Sequence, residues 1–253
     1  MTDSQRCASP CVVVSQPMYF PWVGMLQQIR LCDIFVYYDD VQFSRGFFNR
    51  VQIKTKHGIR WLTVPLLDWK RGQLINEVRI DNSQDWKRSH ISQLKQAYAS
   101  APYKEEMLDL VHDVFAGSYS RISELSSAST SALVSYFSAI GESKEFLFSS
   151  AMKIQGASSR RLIDICLSLN AGYYLTGHGA RNYLDHQGFE KEGMDVAYIG
   201  YVLEPYPQLH GEFTPYVSAL DLIANCGKDG LKLIQGAPVD WYDFIAKTQA
   251  DKD

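Results

Sequence analysis

The sequence of 253 residues lacks several features that would each indicate a class of protein. It has no apolar run near the ~20 residues that a membrane-spanning helix needs, and its first residues lack the basic-then-apolar pattern of a signal peptide. The cysteines are odd in number and scattered, with no Cys-x-x-Cys pair, which argues against a disulfide framework and a zinc site. They are Cys7, Cys11, Cys32, Cys166 and Cys226. We therefore expect a reduced, cytoplasmic protein that does not act in a membrane.

The sequence also has no excess of basic charge. Lys and Arg number 25 against 28 Asp and Glu, a net charge of -3. This argues against a generally basic nucleic-acid binder but leaves room for a local basic patch. Hydrophobic residues at 46% and charged residues at 21% argue against intrinsic disorder. Aromatic residues are plentiful, with Tyr 15 leading, which suits either a tyrosine-rich core or an aromatic cleft.

The order of predicted elements indicates an α/β fold with a mostly parallel sheet. Strands predicted at 12–14 and 34–38 enclose a helix that begins near Trp22, and strand and helix alternate again from 146 to 199. Residues 86–140 have helical spacing instead. We predict an α/β core domain, a helical insertion and a C-terminal tail, with these bounds: core 11–82 and 145–227, insertion 83–144, tail 228–253.

The first candidate site segment follows the first strand, in the Pro-flanked turn Ser15 to Trp22. Ligands of open α/β sheets bind outside the carboxyl ends of strands. Gln16, Tyr19 and Trp22 are candidate binding residues, because two prolines hold the aromatic rings in a stiff wall. The alternative is a stiff connection whose aromatic rings fill the core.

The second segment follows the second strand and is basic. Asp39 ends that strand, and between Val41 and Arg60 there are five basic residues and no acid. Arg and Lys bind phosphate, so this strip could hold a phosphate-bearing ligand, or could be a solvated hairpin. Its candidate binding residues are Gln42, Arg45, Asn49, Arg50 and Lys54.

The third segment is the loop Thr176 to Tyr183, between a predicted strand and a helix from about Arg181. The backbone N–H groups of such a loop can hold an anion or a carbonyl oxygen. His178 stands between Gly177 and Gly179 and can move a proton near neutral pH, although it could equally be bound to backbone in a tight turn.

Other reactive side chains show no pattern of a site. The other histidines have no paired spacing, so we predict no metal. Cys226 lies at the end of a predicted helix that Gly227 terminates, and no neighbour in sequence favours its thiolate, so we expect a buried structural thiol.

The chain resembles the WbqC-like family. The matching stretches, in chain order, are Gln16-Pro17-x-Tyr19-x-Pro21-Trp22, Asp39-x-Val41-Gln42-Phe43, Asn49-Arg50-x-x-Ile53-Lys54, Trp61-Leu62-Thr63-Val64-Pro65, Thr176-Gly177-x-Gly179-Ala180-x-x-Tyr183-Leu184 and Ser218-x-Leu220-Asp221-Leu222. They cover most of the chain. One departure is Ser15, because members often have His before the Gln-Pro pair.

The resemblance implies a role in bacterial O-antigen or other polysaccharide gene clusters. It implies a transferase that attaches an acyl or aminoacyl group, such as glycyl, to the amine of a nucleotide-linked amino sugar. In that hypothesis His178 or Asp39 accepts the amine proton, Gly177 and Gly179 supply oxyanion donors, and the remaining candidates, including Tyr183, bind substrate. The acyl donor would be a thioester, with an acyl carrier protein as a possible partner and no other cofactor.

Two alternatives stay open. The protein could bind a nucleotide sugar or a partner without catalysis. It could also be an ATP-using enzyme, because the opening strand–turn–helix–strand is similar to nucleotidylyltransferase-like Rossmann enzymes. Their His-x-Gly-His signature is absent here. A Rossmann-like fold is therefore expected without implying adenylation.

Overall fold

The structure is a computed structural model that describes residues 9–250. Cys7 lies outside these residues. The strands of this part are β1 (Cys11–Ser15), β2 (Ile34–Tyr37), β3 (Arg50–Thr55), β4 (Gly58–Thr63), β5 (Leu66–Leu67), β6 (Arg79–Ile80), β7 (Glu145–Phe148), β8 (Tyr173–Thr176), β9 (Asp195–Tyr201) and β10 (Gly236–Asp240). Its α-helices are α1 (Val23–Leu31), α2 (Trp86–Ala97), α3 (Lys104–Ala116), α4 (Ile122–Tyr136), α5 (Ser149–Met152), α6 (Ser158–Ser168), α7 (His186–Lys191), α8 (Ala219–Cys226) and α9 (Trp241–Ala250).

A six-stranded sheet with the order β10-β9-β8-β1-β2-β7 forms the centre. Its strands are parallel except β10, which runs antiparallel to β9. The short run Val12 to Val14 is buried or half-buried and lies between β2 and β8, as expected for a β-branched strand inside a parallel sheet. The predicted mostly parallel sheet is confirmed.

Alternate residues of the strands pack against helices on the two faces of this sheet. Val13 contributes to a core shared with α1, α8 and helices α2 to α4. Val12 contributes to the opposite core, which includes Ile165 of α6 and Phe189 of α7. The sheet is therefore the middle layer of three, with helices above and below.

The chain between β2 and β7 adds helices and two short hairpins. The helical spacing in 86–140 is confirmed by α2, α3 and α4, and the Ser-rich segment forms α4 because Leu125 and Leu133 bury one face. Strands β3–β4 and β5–β6 form separate two-stranded sheets outside the central sheet. Asp85 precedes α2 but makes no side-chain capping bond.

Two other elements differ from expectation. Instead of a helix from Arg181, the chain forms a 3₁₀ turn over His178–Asn182, and α7 begins later, where the Asp185 carboxylate accepts from the Gly188 N–H. In the predicted tail, β10 joins the sheet and α9 packs beside it. Within residues 9–250, none of the helices combines the length and apolarity needed to cross a bilayer.

Candidate functional site

A cavity of about 900 Å³ opens where neighbouring parallel strands end. We call it the strand-end cavity. It is lined by residues that follow β1, β2, β8 and β9, together with the start of α6. From β1 the chain adds β2 and β7 on one side of the sheet, and later adds β8 and β9 on the other side of β1. The strand order therefore reverses between β1 and β8, beside the cavity. Such a position is the usual ligand site of open α/β sheets.

Aromatic rings form one wall of the strand-end cavity. The Trp22 ring lies 5.0 Å from the ring of Tyr201 and 5.8 Å from that of Tyr216, between centroids. The Tyr201 hydroxyl accepts a hydrogen bond of 2.7 Å from Nε2 of Gln28. Burial raises the pKa of Tyr201 to about 12, although the hydrogen bond from Gln28 acts to lower it. The phenol is therefore neutral at physiological pH. This wall can pack on a flat or apolar part of a ligand.

His178 lies on the loop after β8, with one nitrogen already engaged. Its Nε2 lies 2.7 Å from the carbonyl oxygen of Ile199, which can only accept, so Nε2 carries the proton in the neutral ring. That tautomer leaves Nδ1 with a free lone pair. The ring also packs against Tyr201 and Phe244, at 4.8 Å and 4.7 Å between centroids. His178 is therefore an oriented histidine that can accept a proton at Nδ1.

The two glycines beside His178 have different surroundings. A Cβ on Gly177 would lie 3.0 Å from the Tyr201 hydroxyl, so a larger residue here would push the Tyr201 side chain by a few tenths of an ångström. A Cβ on Gly179 would meet nothing within 4 Å. The open side of the loop at Gly179 leaves its backbone accessible to a ligand.

The first turn of α6 carries Arg161, a cationic side chain that lines the strand-end cavity. Arg161 is buried; its Nη2 donates to Oδ2 of Asp40 at 2.5 Å, and its Nε donates to the Ile154 carbonyl. The guanidinium lies 5.1 Å above the ring of Tyr38. Burial by itself would lower the pKa of Arg161, but the bonds to Asp40 and Tyr38 outweigh it and raise the pKa. The N-terminal backbone of α6 adds partial positive charge beside this ion pair.

The structure brings some of the predicted site residues to the strand-end cavity. These are Gln16, Trp22, Gln42, Gly177, His178, Gly179 and Tyr183. They come from three of the four strand ends, which explains why segments far apart in sequence meet. Their predicted roles stay predictions.

Other predicted residues lie elsewhere. Tyr19 is buried, and its hydroxyl lies 3.0 Å from Nδ1 of His90, inside the core shared with the insertion. Asp39 is buried too, and its carboxylate accepts from the Ser149 hydroxyl and from the N–H and hydroxyl of Ser150, so it holds the start of α5. Neither side chain lines the strand-end cavity.

The basic strip is also separated from the cavity, because it forms the β3–β4 hairpin and its approaches. Arg45 lies over the ring of Trp69 at 5.1 Å, and Arg50 lies over that of Trp61 at 4.2 Å. Buried Lys54 donates to Gln208 and to two backbone carbonyls of the 211–212 turn.

Asn49 is buried at the hairpin base, where its side-chain amide donates to the Val64 carbonyl. None of these four residues lines the strand-end cavity. The basic strip and the loop around His178 therefore do not line one common cavity.

The sequence reasoning missed Tyr38, Asp40, Arg161, Tyr201 and Tyr216, which line the strand-end cavity. Asp40 follows the predicted Asp39. Because successive side chains of an extended segment point in opposite directions, only one of the two could be expected to face the cavity. Arg161 sits in a helix that the sequence predicted, but nothing local shows that the helix start faces the cavity.

Cys226 lies at the end of α8 and does not line the strand-end cavity. Burial raises its thiol pKa, as do Asp221 and Asp229, which disfavours a thiolate nucleophile. Cys11, Cys32 and Cys166 are free thiols. Within residues 9–250, no group of three or more His, Cys, Asp or Glu side chains is arranged to hold a metal ion.

Fold and site together define a mixed α/β protein whose parallel strands end in a ligand-sized cavity. The chain belongs to the WbqC-like protein family, whose sequence model matches residues 16–233. It is similar to the uncharacterized protein Rv1507c of Mycobacterium tuberculosis (strain ATCC 25618 / H37Rv), at 32% identity over 222 residues, covering 86% of this chain and 94% of that protein. The search of solved structures gives no significant match.

Proposed function

We propose that the protein binds a nucleotide-linked amino sugar in the strand-end cavity and transfers an acyl or aminoacyl group, such as glycyl, to the sugar amine. The observation that carries the proposal is the oriented His178, which is flanked by two glycines and packs against the aromatic wall at Tyr201. In this proposal the protein is cytoplasmic and works in the biosynthesis of a surface polysaccharide.

The strand order supports a nucleotide-type ligand. Numbered among themselves along the chain, the parallel strands lie in the order 3-2-1-4-5, which is the order of the first five strands of the dinucleotide-binding Rossmann sheet. We infer a Rossmann-like fold on this basis. The Trp22–Tyr201–Tyr216 wall offers rings for a base or sugar, while the N-terminal backbone of α6, beside the Arg161–Asp40 ion pair, offers N–H donors for phosphate.

The proposed reaction needs one proton acceptor and one set of oxyanion donors. The neutral sugar amine attacks the carbonyl carbon of a thioester, so a C–N bond forms and the C–S bond breaks. The amine proton passes to Nδ1 of His178 and then to the departing thiolate, which leaves as a thiol. Backbone N–H groups of the Gly177–Gly179 loop stabilise the negative oxygen of the tetrahedral intermediate. An acyl carrier protein could present the thioester.

The direct test is product formation with purified protein, a nucleotide 4-amino sugar and a panel of acyl and aminoacyl thioesters. We expect an amide product by mass spectrometry, and a rate reduced about 100-fold or more in His178→Ala, the typical contribution of a general base. His112→Ala, at an exposed histidine outside both the strand-end cavity and the other pockets, is the matched control. No amide with any donor would refute the transferase.

A second candidate is a binding protein without catalysis, and the burial of Asp39 favours it. Because Ser149 and Ser150 already bond this carboxylate, only one of the two proposed bases lines the strand-end cavity. A binding protein would show a rise in melting temperature with nucleotide sugars. It would retain its cellular function in His178→Ala, which the transferase would not.

A further inference from the structure

The tip of the β3–β4 hairpin and helix α2 enclose a second cavity, of about 270 Å³. We call it the hairpin cavity. It shares no lining residue with the strand-end cavity. Its polar lining consists of Thr55, Lys56, His57, Arg60, Gln93 and Gln96.

The hairpin turn that carries two of these groups is fixed by its own side chains. The Thr55 hydroxyl donates to the Gly58 carbonyl at 2.7 Å and accepts from the His57 N–H at 3.2 Å. Gly58 has a φ of 91°, a conformation that glycine adopts without strain. Lys56 and His57 are therefore presented from a preorganised two-residue turn.

Strand alternation selects which basic residues reach the hairpin cavity. Arg60 pairs with Ile53, so both side chains project from the same face, and both line the cavity. Lys54 projects from the opposite face, where it is occupied by Gln208 and the 211–212 turn. The charges of the strip are thus divided, and a subset faces α2.

This subset has no opposing charge. The lining contains no Asp or Glu, and no described residue gives Lys56 or Arg60 an ion-pair partner. Three groups that can carry positive charge thus meet amide and hydroxyl groups in a concave space. Arginine binds phosphate through its two-pronged guanidinium, lysine adds a point charge, and glutamine amides donate further bonds.

We propose that the hairpin cavity binds the doubly charged phosphate group of a phosphate monoester or of inorganic phosphate. A monoester carries about -1.5 to -2 charges at pH 7 and several acceptor oxygens, which suits this set of donors. A phosphodiester carries a single charge and is the weaker ligand. The site lies beyond the proposed transferase reaction and does not depend on it.

The test is NMR titration of the ¹⁵N-labelled full chain at constant ionic strength. The probes are inorganic phosphate, a sugar phosphate, a phosphodiester and chloride. We expect saturable shifts confined to residues 53–60 and 93–97, including the Arg60 Nε–H and the Gln96 side-chain amide. The sugar phosphate and inorganic phosphate arms distinguish an esterified ligand from the free ion by their relative affinities.

Arg60→Gln and Lys56→Gln should each weaken phosphate binding about tenfold or more, the scale of one charge-assisted hydrogen bond. Arg71→Gln, an equal change of charge at another exposed position outside the hairpin cavity, should leave the affinity unchanged. All three positions are exposed, and circular dichroism confirms that each variant is folded.

Three results would overturn the proposal. They are shifts that chloride reproduces, equal affinity in Arg60→Gln and Arg71→Gln, and a phosphodiester that binds as tightly as the monoester. No residue of the strand-end cavity lines the hairpin cavity, so none of these results bears on the transferase reaction. Failure of the phosphate site is thus distinct from failure of the transferase.

Discussion

The position of the Trp22 ring depends on Gly24, which has no side chain to occupy the same space. A Cβ on Gly24 would lie 2.3 Å from the Trp22 ring, so the ring occupies the space that glycine leaves. This close packing holds the indole against Tyr201 and Tyr216 at the strand-end cavity. The glycine therefore serves the site, although it lies inside α1, where glycine usually costs helix stability.

Gly24→Ala should displace the Trp22 ring from the wall. We expect the rise in melting temperature caused by a nucleotide sugar to fall, with affinity weakened about fivefold, the value of one aromatic contact near 1 kcal/mol. Near-UV circular dichroism should change as well. Gly46→Ala is the control, because a Cβ there meets nothing within 4 Å. An unchanged ligand response in Gly24→Ala would remove Trp22 from the binding site.

His90 is a buried histidine held neutral. Its Nε2 lies 3.2 Å from the Thr63 carbonyl oxygen, so Nδ1 accepts from the Tyr19 hydroxyl. Burial lowers its pKa to about 4, and the bond to Thr63 opposes that shift only in part. Between about pH 6.5 and 4 the unfolded chain takes up a proton that the folded chain does not.

The free energy of unfolding should therefore decrease as pH falls through this window. Protonation of His90 accounts for a total decrease of roughly 3 kcal/mol. His90→Gln should be less stable than the native chain at pH 7.5 but lose less stability on acidification. Urea unfolding at several pH values measures both slopes. Ser89→Ala, at the exposed position next to His90, has no titratable group and should keep the native slope. If His90→Gln also kept it, burial of a neutral His90 would be refuted.

Among the secondary-structure elements, β10 and α9 pack beside β9 and the loop that carries His178. β10 is an edge strand that contains Pro238, and proline is tolerated in a sheet mainly at such an edge. Phe244 of α9 stacks on Tyr198 at 4.1 Å between centroids and also contacts His178. The carboxyl-terminal helix thus supports the orientation of the candidate base.

Phe244→Ala should destabilise the fold by about 1–2 kcal/mol, less than a fully buried phenylalanine because this ring is half-buried. It should also reduce the turnover of the proposed reaction, since His178 loses one side of its packing. Tyr242→Ala on the same helix is the control, because Tyr242 is 56% exposed. Equal effects of the two variants on turnover would show that α9 does not orient His178.

The hairpin shows why most of the basic strip does not line the strand-end cavity. The run of basic residues from Arg45 to Arg60 is visible in the sequence, but its division between two hairpin faces follows from register. Cross-strand pairing places Arg60 on the face of Ile53, opposite Lys54, whereas Lys56 lies in the turn between the strands. Sequence reasoning therefore found the charges and could not find the surface that each one serves.

At the scale of the whole molecule, the central sheet and the helices of residues 86–136 share one hydrophobic core. Val13 of the central sheet, Leu108 of α3 and Leu220 of α8 belong to one continuous cluster of buried residues. Helices of the predicted insertion thus bury their apolar faces against the same interior as the sheet. A common core couples the folding of both parts.

We therefore expect a single unfolding transition for the full chain. Tryptophan fluorescence and far-UV circular dichroism should give coincident curves, and the calorimetric and van't Hoff enthalpies should agree. Two separate transitions, one of them helical, would instead indicate that the insertion 83–144 folds as a unit of its own.

The sequence by itself determined the parallel sheet, the helices of the insertion and three of the segments that meet in the strand-end cavity. It could do so because β-branched runs, helical periodicity and turn residues act over a few neighbouring positions. Only the tertiary structure decided that Asp40 rather than Asp39 faces the cavity, that Arg161 is its cation and that Lys54 is buried elsewhere. Those outcomes depend on strand register and helix placement, which arise from packing between residues distant in the chain.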